Sequence, residues 1–377
     1  MTFDQSFLKI DMLNVIYQGR NVGILAETPD GLAAFQYSSE WLQNGFSISP
    51  FSLPLENRTF IAKPHPLDGL FGIFSDSLPD GWGRLLVDRT LQKHGIDPNE
   101  VNFLQRLAIV GKSGAGALEY HPSFDPISDD ALENLDAIAL NCAEVLAAQD
   151  TADLDILFAM GGSSGGARPK VFYTIDEEEW IVKFPSSIDP ANIGKREYQL
   201  AKAAKDCGIK MPDVRLLPSN LCSGYFATKR FDRRKAVGQK TEKLHMASAA
   251  ALLETSHRIP NLSYELLMRL TLQLTNSMRV VERMFQLMVF NVLCGNRDDH
   301  SKNFTFLFSE NAGWTLSPAY DLTENPGFNG EHATTVQGKG RNITEQDMLA
   351  VAKETDIDEE FARSAIERTK SALSRIR

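Results

Sequence analysis

The chain has 377 residues, of which 43% are hydrophobic and 23% charged, and its formal net charge is −10. This length suffices for two domains or for one domain with two lobes. The acidic balance predicts that the protein as a whole is repelled by nucleic acid. Its longest apolar stretch, residues 285–294, is far too short for a membrane span, and we see no signal-peptide pattern. We therefore predict a cytoplasmic protein without a membrane partner.

The N-terminal part is predicted to be rich in strands. Residues 8–62 read as short strands separated by turns at 19–21 and 28–31. Apolar residues at steps of three and four predict a helix over 79–89. Residues 111–116 contain Gly-Lys-Ser, but Arg106 stands where a phosphate loop needs its first glycine, so we predict only a tight turn.

The rest of the chain changes from a β-rich to a helical pattern. A linker helix is predicted over 128–148, and from residue 155 the pattern predicts strand, glycine-rich loop, strand, turn and strand. Helices follow over 247–253, 263–277 and 279–294. We predict an α+β fold: a β-rich N-terminal subdomain fused to a two-lobed protein-kinase-like core with a mainly helical C-terminal lobe. The predicted domains are 1–125, the linker helix and ATP-binding lobe at 126–245, and the helical catalytic lobe at 246–377.

A glycine-rich loop, GGSSGGARPK at residues 161–170, lies between two predicted strands. Glycines let backbone N–H groups approach phosphate oxygens, and we predict nucleotide contacts from Ser164, Gly165, Gly166 and Ala167. The loop matches neither GxGxxG nor a Walker motif. A Gly/Ser-rich hairpin turn is the alternative interpretation.

Lys183 emerges from an apolar strand predicted over 180–185. In kinases such a lysine binds the α- and β-phosphates and pairs with a helix glutamate, for which the predicted helix over 192–207 offers Glu197. A lysine that points to water from an edge strand is the alternative. The next strand ends near Lys229 and Phe231, where a kinase hinge presents its backbone to adenine.

The most informative pattern is GNRDDHSKN, followed downstream by a second acid, Asp321. Asp298 has Asn303 five residues on, whereas Asp299 has no asparagine at that spacing. In kinases such an Asp takes the proton of the attacking hydroxyl, and the Asn and the later Asp hold magnesium. We predict Asp298 as the catalytic base and Asn303 and Asp321 as ligands of magnesium bound with ATP. His300 is interpreted as a packed structural residue.

Residues 229–235, KRFDRRK, form a run of charges that continues with Lys240 and Lys243. Charge runs are usually solvated, and we interpret this one as a solvated loop. A patch that meets an acidic partner or substrate is the alternative.

Six segments carry a resemblance to a known family: residues 78–80, 163–170, 181–183, 230–233, 290–304 and 318–321. They resemble the HipA-type serine/threonine kinases, toxins of bacterial toxin–antitoxin systems. The resemblance implies an N-terminal subdomain on a kinase-like core that uses Mg-ATP and phosphorylates protein serines, including those of aminoacyl-tRNA synthetases. It also implies autophosphorylation of a loop serine, here Ser163 or its neighbour Ser164. In the family, this phosphorylation ejects the loop. The implied partner is a small helix-turn-helix antitoxin that makes the DNA contacts.

Three functions are compared. The first is the serine/threonine kinase toxin, which has every element of the site in the kinase order. The second is a small-molecule kinase of the aminoglycoside or choline type, because the same site serves those substrates. The third is a pseudokinase binding module, which would lack a magnesium ligand, yet Asn303 and Asp321 are both present.

Overall fold

The chain folds into two units that interleave along the sequence. The computed structural model describes residues 7–124, 134–149, 151, 153–234 and 241–376. The first unit holds Met1–Gly194, Leu216–Ala247 and Ala251–Glu254, and the second holds Lys195–Arg215, Ser248–Ala250 and Thr255–Arg377. The domain boundaries predicted at 125/126 and 245/246 stay predictions.

The first unit begins with a five-stranded antiparallel sheet of order β4-β3-β2-β1-β5. Its strands are β1 Met12–Tyr17, β2 Arg20–Glu27, β3 Ala33–Tyr37, β4 Thr59–Ile61 and β5 Leu118–His121. Alternate residues of β1 are buried, as expected for a strand with one face on the core. The turn between β1 and β2 has positive φ at Gln18 and Gly19, the backbone of a tight hairpin. The predicted N-terminal strands are thereby confirmed.

Four helices accompany this sheet: α1 Ser39–Asn44, α2 Gly72–Ser75, α3 Gly81–Lys93 and α4 Phe103–Val110. The helix predicted over 79–89 is α3. A capping box of Asn102 and Gln105 begins α4, and Gly111 ends it at φ 49°. The turn predicted at 111–116 follows directly and leads into β5.

The middle of the chain forms a four-stranded sheet of order β6-β7-β9-β8. Its elements in chain order are α5 Leu135–Leu146, α6 Leu154–Gly161, β6 Lys170–Ile175, β7 Glu178–Lys183, α7 Ile193–Asp206, β8 Val214–Leu217, β9 Tyr225–Lys229, β10 Arg233–Arg234, β11 Glu242–Lys243, β12 His245–Ser248 and α8 Ala249–Leu252. The predicted linker helix appears as α5, and the part of that prediction at 128–133 lies outside the described residues.

The strand predicted ahead of the glycine-rich loop was wrong, because α6 occupies that position. A short apolar run does not distinguish a strand from a buried helix by periodicity. The run contains Leu, Ala and Met, which favour a helix, and its Leu157 and Phe158 are buried. Tertiary packing therefore selected the helix.

The second unit is mostly helical, as predicted. After the first part of the chain its elements are β13 Leu262–Ser263, α9 Tyr264–Thr275, α10 Met278–Cys294, β14 Thr305–Ser309, β15 Gly313–Leu316, β16 Thr334–Thr335, α11 Glu345–Glu354 and α12 Glu359–Ser374. β14 and β15 form an antiparallel pair, and β13 pairs with β16 in parallel. The predicted α+β fold class is confirmed. Within the described residues, no helix is both long and apolar enough to cross a membrane.

His245 lies at the start of β12, and its burial leads us to expect that the free energy of unfolding depends on pH. Its Nε2 lies 2.8 Å from the carbonyl oxygen of Ile48, and burial lowers the pKa of His245 from 6.5 to about 4. The unfolded chain therefore binds a proton below about pH 6.5, whereas the folded chain binds one only near pH 4. The free energy of unfolding should fall by about 3 kcal/mol as the pH falls from 6.5 to 4.

The control for this prediction is His245→Gln, whose amide N–H still reaches the Ile48 carbonyl but does not titrate. Urea unfolding of both proteins across this pH range measures the difference. Parallel curves for wild type and variant would contradict the prediction.

Candidate active site

The glycine-rich loop connects α6 to β6 in the first unit. Gly165, Gly166 and Ala167 are exposed, whereas Ser164 is buried and its hydroxyl donates to the carbonyl of Gly161 at 2.6 Å. Gly166 has φ +83°, a conformation that side chains disfavour. The loop thus exposes its backbone at three of the four positions predicted to contact nucleotide.

Residues at the N-terminal end of α3 form hydrogen bonds with this loop. The Asp80 carboxylate accepts a hydrogen bond from the Gly166 N–H, and the Trp82 N–H donates to the Gly166 carbonyl at 2.8 Å. The Trp82 indole N–H donates to the carbonyl of Lys170 at 3.0 Å. The middle of the loop, at Gly166, and its C-terminal end, at Lys170, are therefore held by residues 86 and 88 positions earlier in the chain.

Two glycines of this segment make the close approach possible. A Cβ at Gly81 would overlap the Gly166 carbonyl, and one at Gly83 would overlap the Ser164 carbonyl. This role of residues 80–83, DGWG, was not predicted from the sequence. Its signal is two glycines at the start of a helix, where they weaken helix propensity and need another reason.

Ser163 contacts the turn between α4 and β5. Its hydroxyl donates to the carbonyl of Ser113 at 3.0 Å, and its side chain is half-buried. Of the two serines predicted as phosphorylation sites, Ser163 is the more accessible, because Ser164 is only 4% exposed.

The charge run contains a buried ion network, so its interpretation as a solvated loop was wrong. Arg230 and Asp232 are each 5% exposed. The Arg230 guanidinium donates to both carboxylate oxygens of Asp232 at 3.0 and 2.8 Å, and Arg233 donates at 2.8 Å. Burial would raise the pKa of Asp232, but the guanidinium of Arg230 and that of Arg233 lower it well below its usual range. Residues 235–240 of the run lie outside the described residues.

This network also fastens the turn that Ser163 contacts. The Asp232 carboxylate accepts from the Gly116 N–H at 2.8 Å, and Arg233 donates to the carbonyls of Gly116 and Gly114, each at 3.0 Å. Glu179 adds a second carboxylate, 3.3 Å from Arg230 and 3.4 Å from Arg233, so the two guanidinium groups face two carboxylates. A fixed set of contacts joins the charged segment after β9 to the loop serine.

Lys183 ends β7 beside Phe226 and opposite Lys170. Its Nζ lies 5.7 Å from the Phe226 ring centroid, and its neighbours Val182 and Phe184 are buried while Lys183 is half-buried. The register of β6 and β7 places Lys170 directly across from Lys183. Like charges in such a pair are unfavourable unless each is paired elsewhere, and the Lys170 ammonium donates to the Gly165 carbonyl at 2.5 Å.

Glu197, predicted as the partner of Lys183, lies on α7 and is 4% exposed. Lys183 belongs to the first unit and Glu197 to the second. Their pairing stays a prediction. A buried glutamate on a helix is the residue type that such a pair requires.

The predicted hinge residues lie at the end of β9. Lys229 pairs through its side chain with Glu178 at 2.5 Å, and the Arg230 N–H donates to the Glu179 carbonyl at 2.9 Å. Phe231 is half-buried. The adenine contacts of Lys229 and Phe231 stay predictions.

The acid loop, residues 295–303 of the second unit, follows α10. Gly295, at φ 76°, ends the helix by donating its N–H to the Asn291 carbonyl. The Asn291 side chain donates to the Tyr264 hydroxyl at 3.0 Å and accepts from Asn296 at 3.0 Å. These hydrogen bonds therefore fix the end of α10 to the start of the loop, on the N-terminal side of Asp298 and Asp299.

The two adjacent acids have opposite environments. Asp298 is exposed, whereas Asp299 is completely buried. The Asp299 carboxylate accepts from the Tyr264 hydroxyl at 2.7 Å and the Thr334 N–H at 3.2 Å, and lies 3.0 Å from His332 Nδ1. Burial and the Asp299 charge raise the pKa of Tyr264, which keeps its hydroxyl protonated as a donor. Asp299 thus anchors the loop and leaves Asp298 at its surface.

Asn303 and Asn325 hold Asp298. The Asn303 side chain donates to the backbone carbonyl of Asp298 at 2.6 Å, and the Asn325 amide lies 3.5 Å from Asp298 Oδ2. The role of Asn325 was not predicted from the sequence, where only its position four residues after Asp321 could have suggested it. Asp321 is half-buried, has φ 55°, and its carbonyl accepts from Asn296 at 3.4 Å.

The second unit therefore brings Asp298, Asn303 and the segment of Asp321 together. The amide nitrogen of Asn303 is used within the protein, which leaves its amide oxygen as the ligand atom. Carboxylate and amide oxygens are the donors that magnesium prefers, so these residues fit a magnesium bound with ATP phosphates. His300 is half-buried and its Nδ1 accepts from the Lys302 N–H at 3.3 Å, a local structural contact.

Family models and similar proteins indicate the same family for both halves of the chain. A family model described as the HipA N-terminal domain matches residues 13–121, and one described as the HipA-like C-terminal domain matches residues 162–376. The serine/threonine-protein kinase toxin HipA of Shewanella oneidensis is 23% identical over 318 residues, covering 77% of this chain and 69% of the toxin. The Sinorhizobium fredii protein Y4dM, whose name marks it as a candidate kinase, is 24% identical and covers 96% of this chain and 90% of its own length.

A solved structure supports the same fold. A chain in the Shewanella oneidensis complex of HipA, HipB and operator DNA superposes with a TM-score of 0.72 at 19% identity, covering 97% of this chain and 90% of that one. This likeness and the order of helices and strands together show an α+β, kinase-like fold. The chain belongs to the HipA family, since its family model matches most of the chain.

Proposed function

We propose that this chain is a serine/threonine protein kinase that uses Mg-ATP and is the toxin component of a bacterial toxin–antitoxin system. The observation that carries the proposal is the pair of adjacent acids, with Asp299 buried as an anchor and Asp298 exposed beside Asn303. A binding module without catalysis has no need to present an acid at the surface of so rigid a loop.

The residues divide the work of phosphate transfer. Asp298 accepts the proton of a serine or threonine hydroxyl while the hydroxyl oxygen bonds to the γ-phosphorus and the bond to the ADP oxygen breaks. Asn303 and Asp321 would hold magnesium, which neutralises charge on the phosphates when bound. The exposed backbone of Gly165–Ala167 and the Lys183 ammonium would position the phosphates. Lys229 and Phe231 would present hinge backbone to adenine.

The proposed target is a translation-related protein such as an aminoacyl-tRNA synthetase, on the family resemblance. The proposed partner is a helix-turn-helix antitoxin, supported by the structural likeness to HipA in a complex with HipB and operator DNA. With a net charge of −10, this chain should meet DNA only through that partner.

Autophosphorylation is predicted at Ser163. Incubation with Mg-ATP should add one phosphate, mapped to Ser163 by intact-mass and peptide mass spectrometry, because Ser163 is half-buried while Ser164 is buried and bonded to Gly161. Phosphorylation replaces the donor that faces the Ser113 carbonyl by a charged acceptor, which should release the loop.

Two variants control this experiment. Ser163→Ala should prevent the added mass, and Ser164→Ala should retain it. Absence of added mass on wild-type protein first shown to be unphosphorylated would count against the proposal and favour a small-molecule kinase or a pseudokinase.

A further inference from the structure

Phe328 is a large apolar side chain left in water next to the acid loop. It is 86% exposed, and the other exposed large hydrophobic residues in the described part of the second unit are Ile259, Leu266 and Leu272 at 49%, 39% and 41%. A ring so exposed contributes little to folding, because hydrophobic stabilisation scales with buried apolar area.

The segment that carries Phe328 is a tight turn with defined hydrogen bonds. The Glu331 N–H donates to the Phe328 carbonyl at 3.1 Å, and the Gly327 N–H donates to the Asn325 side chain at 2.9 Å. Gly327 has φ 68°, and a Cβ there would overlap the Glu331 carbonyl and lie 2.6 Å from the Cβ of Arg297. The turn, residues 325–331, is therefore packed against the acid loop.

Both sides of this turn are bonded to the acid loop. The Asn325 N–H donates to the Gly295 carbonyl at 3.1 Å, and the Arg297 N–H donates to the Asn325 carbonyl at 3.3 Å. Beyond the turn, the Ala333 N–H donates to the Arg297 carbonyl at 3.1 Å. The position of the turn relative to Asp298 is thus set by backbone bonds on either side.

Chain geometry bounds the distance of Phe328 from Asp298, the proposed catalytic base. Three residues span at most about 11 Å, and Asn325, three residues before Phe328, lies within 3.5 Å of Asp298 Oδ2. A substrate chain in extended conformation advances about 3.3 Å per residue. A side chain some two to four residues from the acceptor hydroxyl would be within reach of the ring.

Two charged side chains lie beside the ring. Glu331 forms an ion pair with Arg341 at 3.0 Å, whereas Arg297 donates to the neutral Pro326 carbonyl at 3.4 Å and keeps its charge. Phe328 is the apolar feature of the turn, and its substitution leaves these charges unchanged.

We propose that Phe328 is a specificity-determining residue that receives a large apolar side chain of the protein substrate, a few residues from the phosphorylated serine or threonine. The inference rests on the proposed kinase function. The molecule that contacts the Phe328 ring is a protein segment. A small-molecule acceptor bound at Asp298 has no chain that could extend to the ring.

The test uses an arrayed serine-peptide library with one position fixed at a time, assayed with Mg-ATP. Wild-type protein should prefer peptides with a fixed Leu, Ile, Met or Phe close to the serine. Phe328→Ala should lower kcat/KM for those peptides by about tenfold or more, chiefly through KM, as expected for loss of a hot-spot ring. The KM for ATP and the rate on peptides without an apolar residue should stay within about twofold.

Two variants make the result specific. Phe328→Leu should restore most of the preference, and Ile188→Ala, at a residue 93% exposed in the first unit, should leave it unchanged. An equal loss on all peptides would show that the turn has only a structural role, and retained preference in Phe328→Ala would show that the ring binds something else, such as the antitoxin. Either result overturns the inference while leaving the kinase proposal intact. If wild-type protein phosphorylates neither itself nor any peptide, the kinase proposal falls, and this inference with it.

Discussion

Asp298→Asn should abolish phosphate transfer, lowering kcat by about 10²–10⁴, with little change in the free energy of unfolding. The expectation follows from exposure: Asp298 lies at the surface of the acid loop, so an amide of the same shape replaces it without a buried cost. Phosphate incorporation measured with Mg-ATP, beside urea unfolding of the same samples, gives both quantities. Retained transfer in Asp298→Asn would exclude this residue as the catalytic base.

The matched control is the neighbouring acid. Asp299→Asn puts an amide N–H₂ where the carboxylate now accepts from Tyr264, Thr334 and His332 in a fully buried site. We expect a loss of about 3 kcal/mol in the free energy of unfolding, because a buried donor then faces another donor. If the two variants behave alike, the assignment of base and anchor is wrong.

Asp232→Asn should strongly destabilise the first unit. Removing this charge leaves Arg230 and Arg233 without their buried carboxylate, and their remaining partner Glu179 has a side chain that is 40% exposed. Loss of one partner of a buried ion network costs about 3–5 kcal/mol, which urea unfolding at neutral pH would measure. Glu242→Gln is the control: its pair with Arg234 is exposed, so about 0.5 kcal/mol or less is expected.

The pH dependence of this prediction follows from the lowered pKa of Asp232. A carboxyl whose pKa is lower in the folded state contributes stability that is fully present above its unfolded pKa, about 4, and is lost as the pH falls through the folded value. The difference between wild type and Asp232→Asn should therefore shrink only in strong acid. Equal destabilisation by Asp232→Asn and Glu242→Gln at neutral pH would contradict the network's role.

Local patterns predicted the fold class and most helices and strands. The hairpin before β2, the β6–β7 pair and α9 to α10 all carry periodicity or turn chemistry within a few residues. The strand expected in place of α6 shows where this fails, because a mostly apolar run of eight residues fits either structure and distant packing decides.

The acid loop could be predicted because Asp298 and Asn303 are five residues apart, and a spacing is visible in a sequence. The contacts of Asp80 with Gly166, of Ser163 with Ser113 and of Asp232 with Gly116 span 86, 50 and 116 residues. No local signal connects such pairs. For the same reason the charged run was interpreted from composition, which does not show that its counter-charges are buried together.

The seating of α3 on the glycine-rich loop has a consequence for inheritance. One family model ends at residue 121 and the other begins at residue 162, as though two cassettes had been joined. Yet Gly81 and Gly83 of the first make room for the loop of the second. Recombination between distant relatives at this junction would combine the glycine-rich loop of one parent with the α3 segment of the other. A single added methyl group at Gly81 or Gly83 would then overlap the loop backbone. We therefore expect selection to keep the two domains together and to disfavour their exchange between relatives.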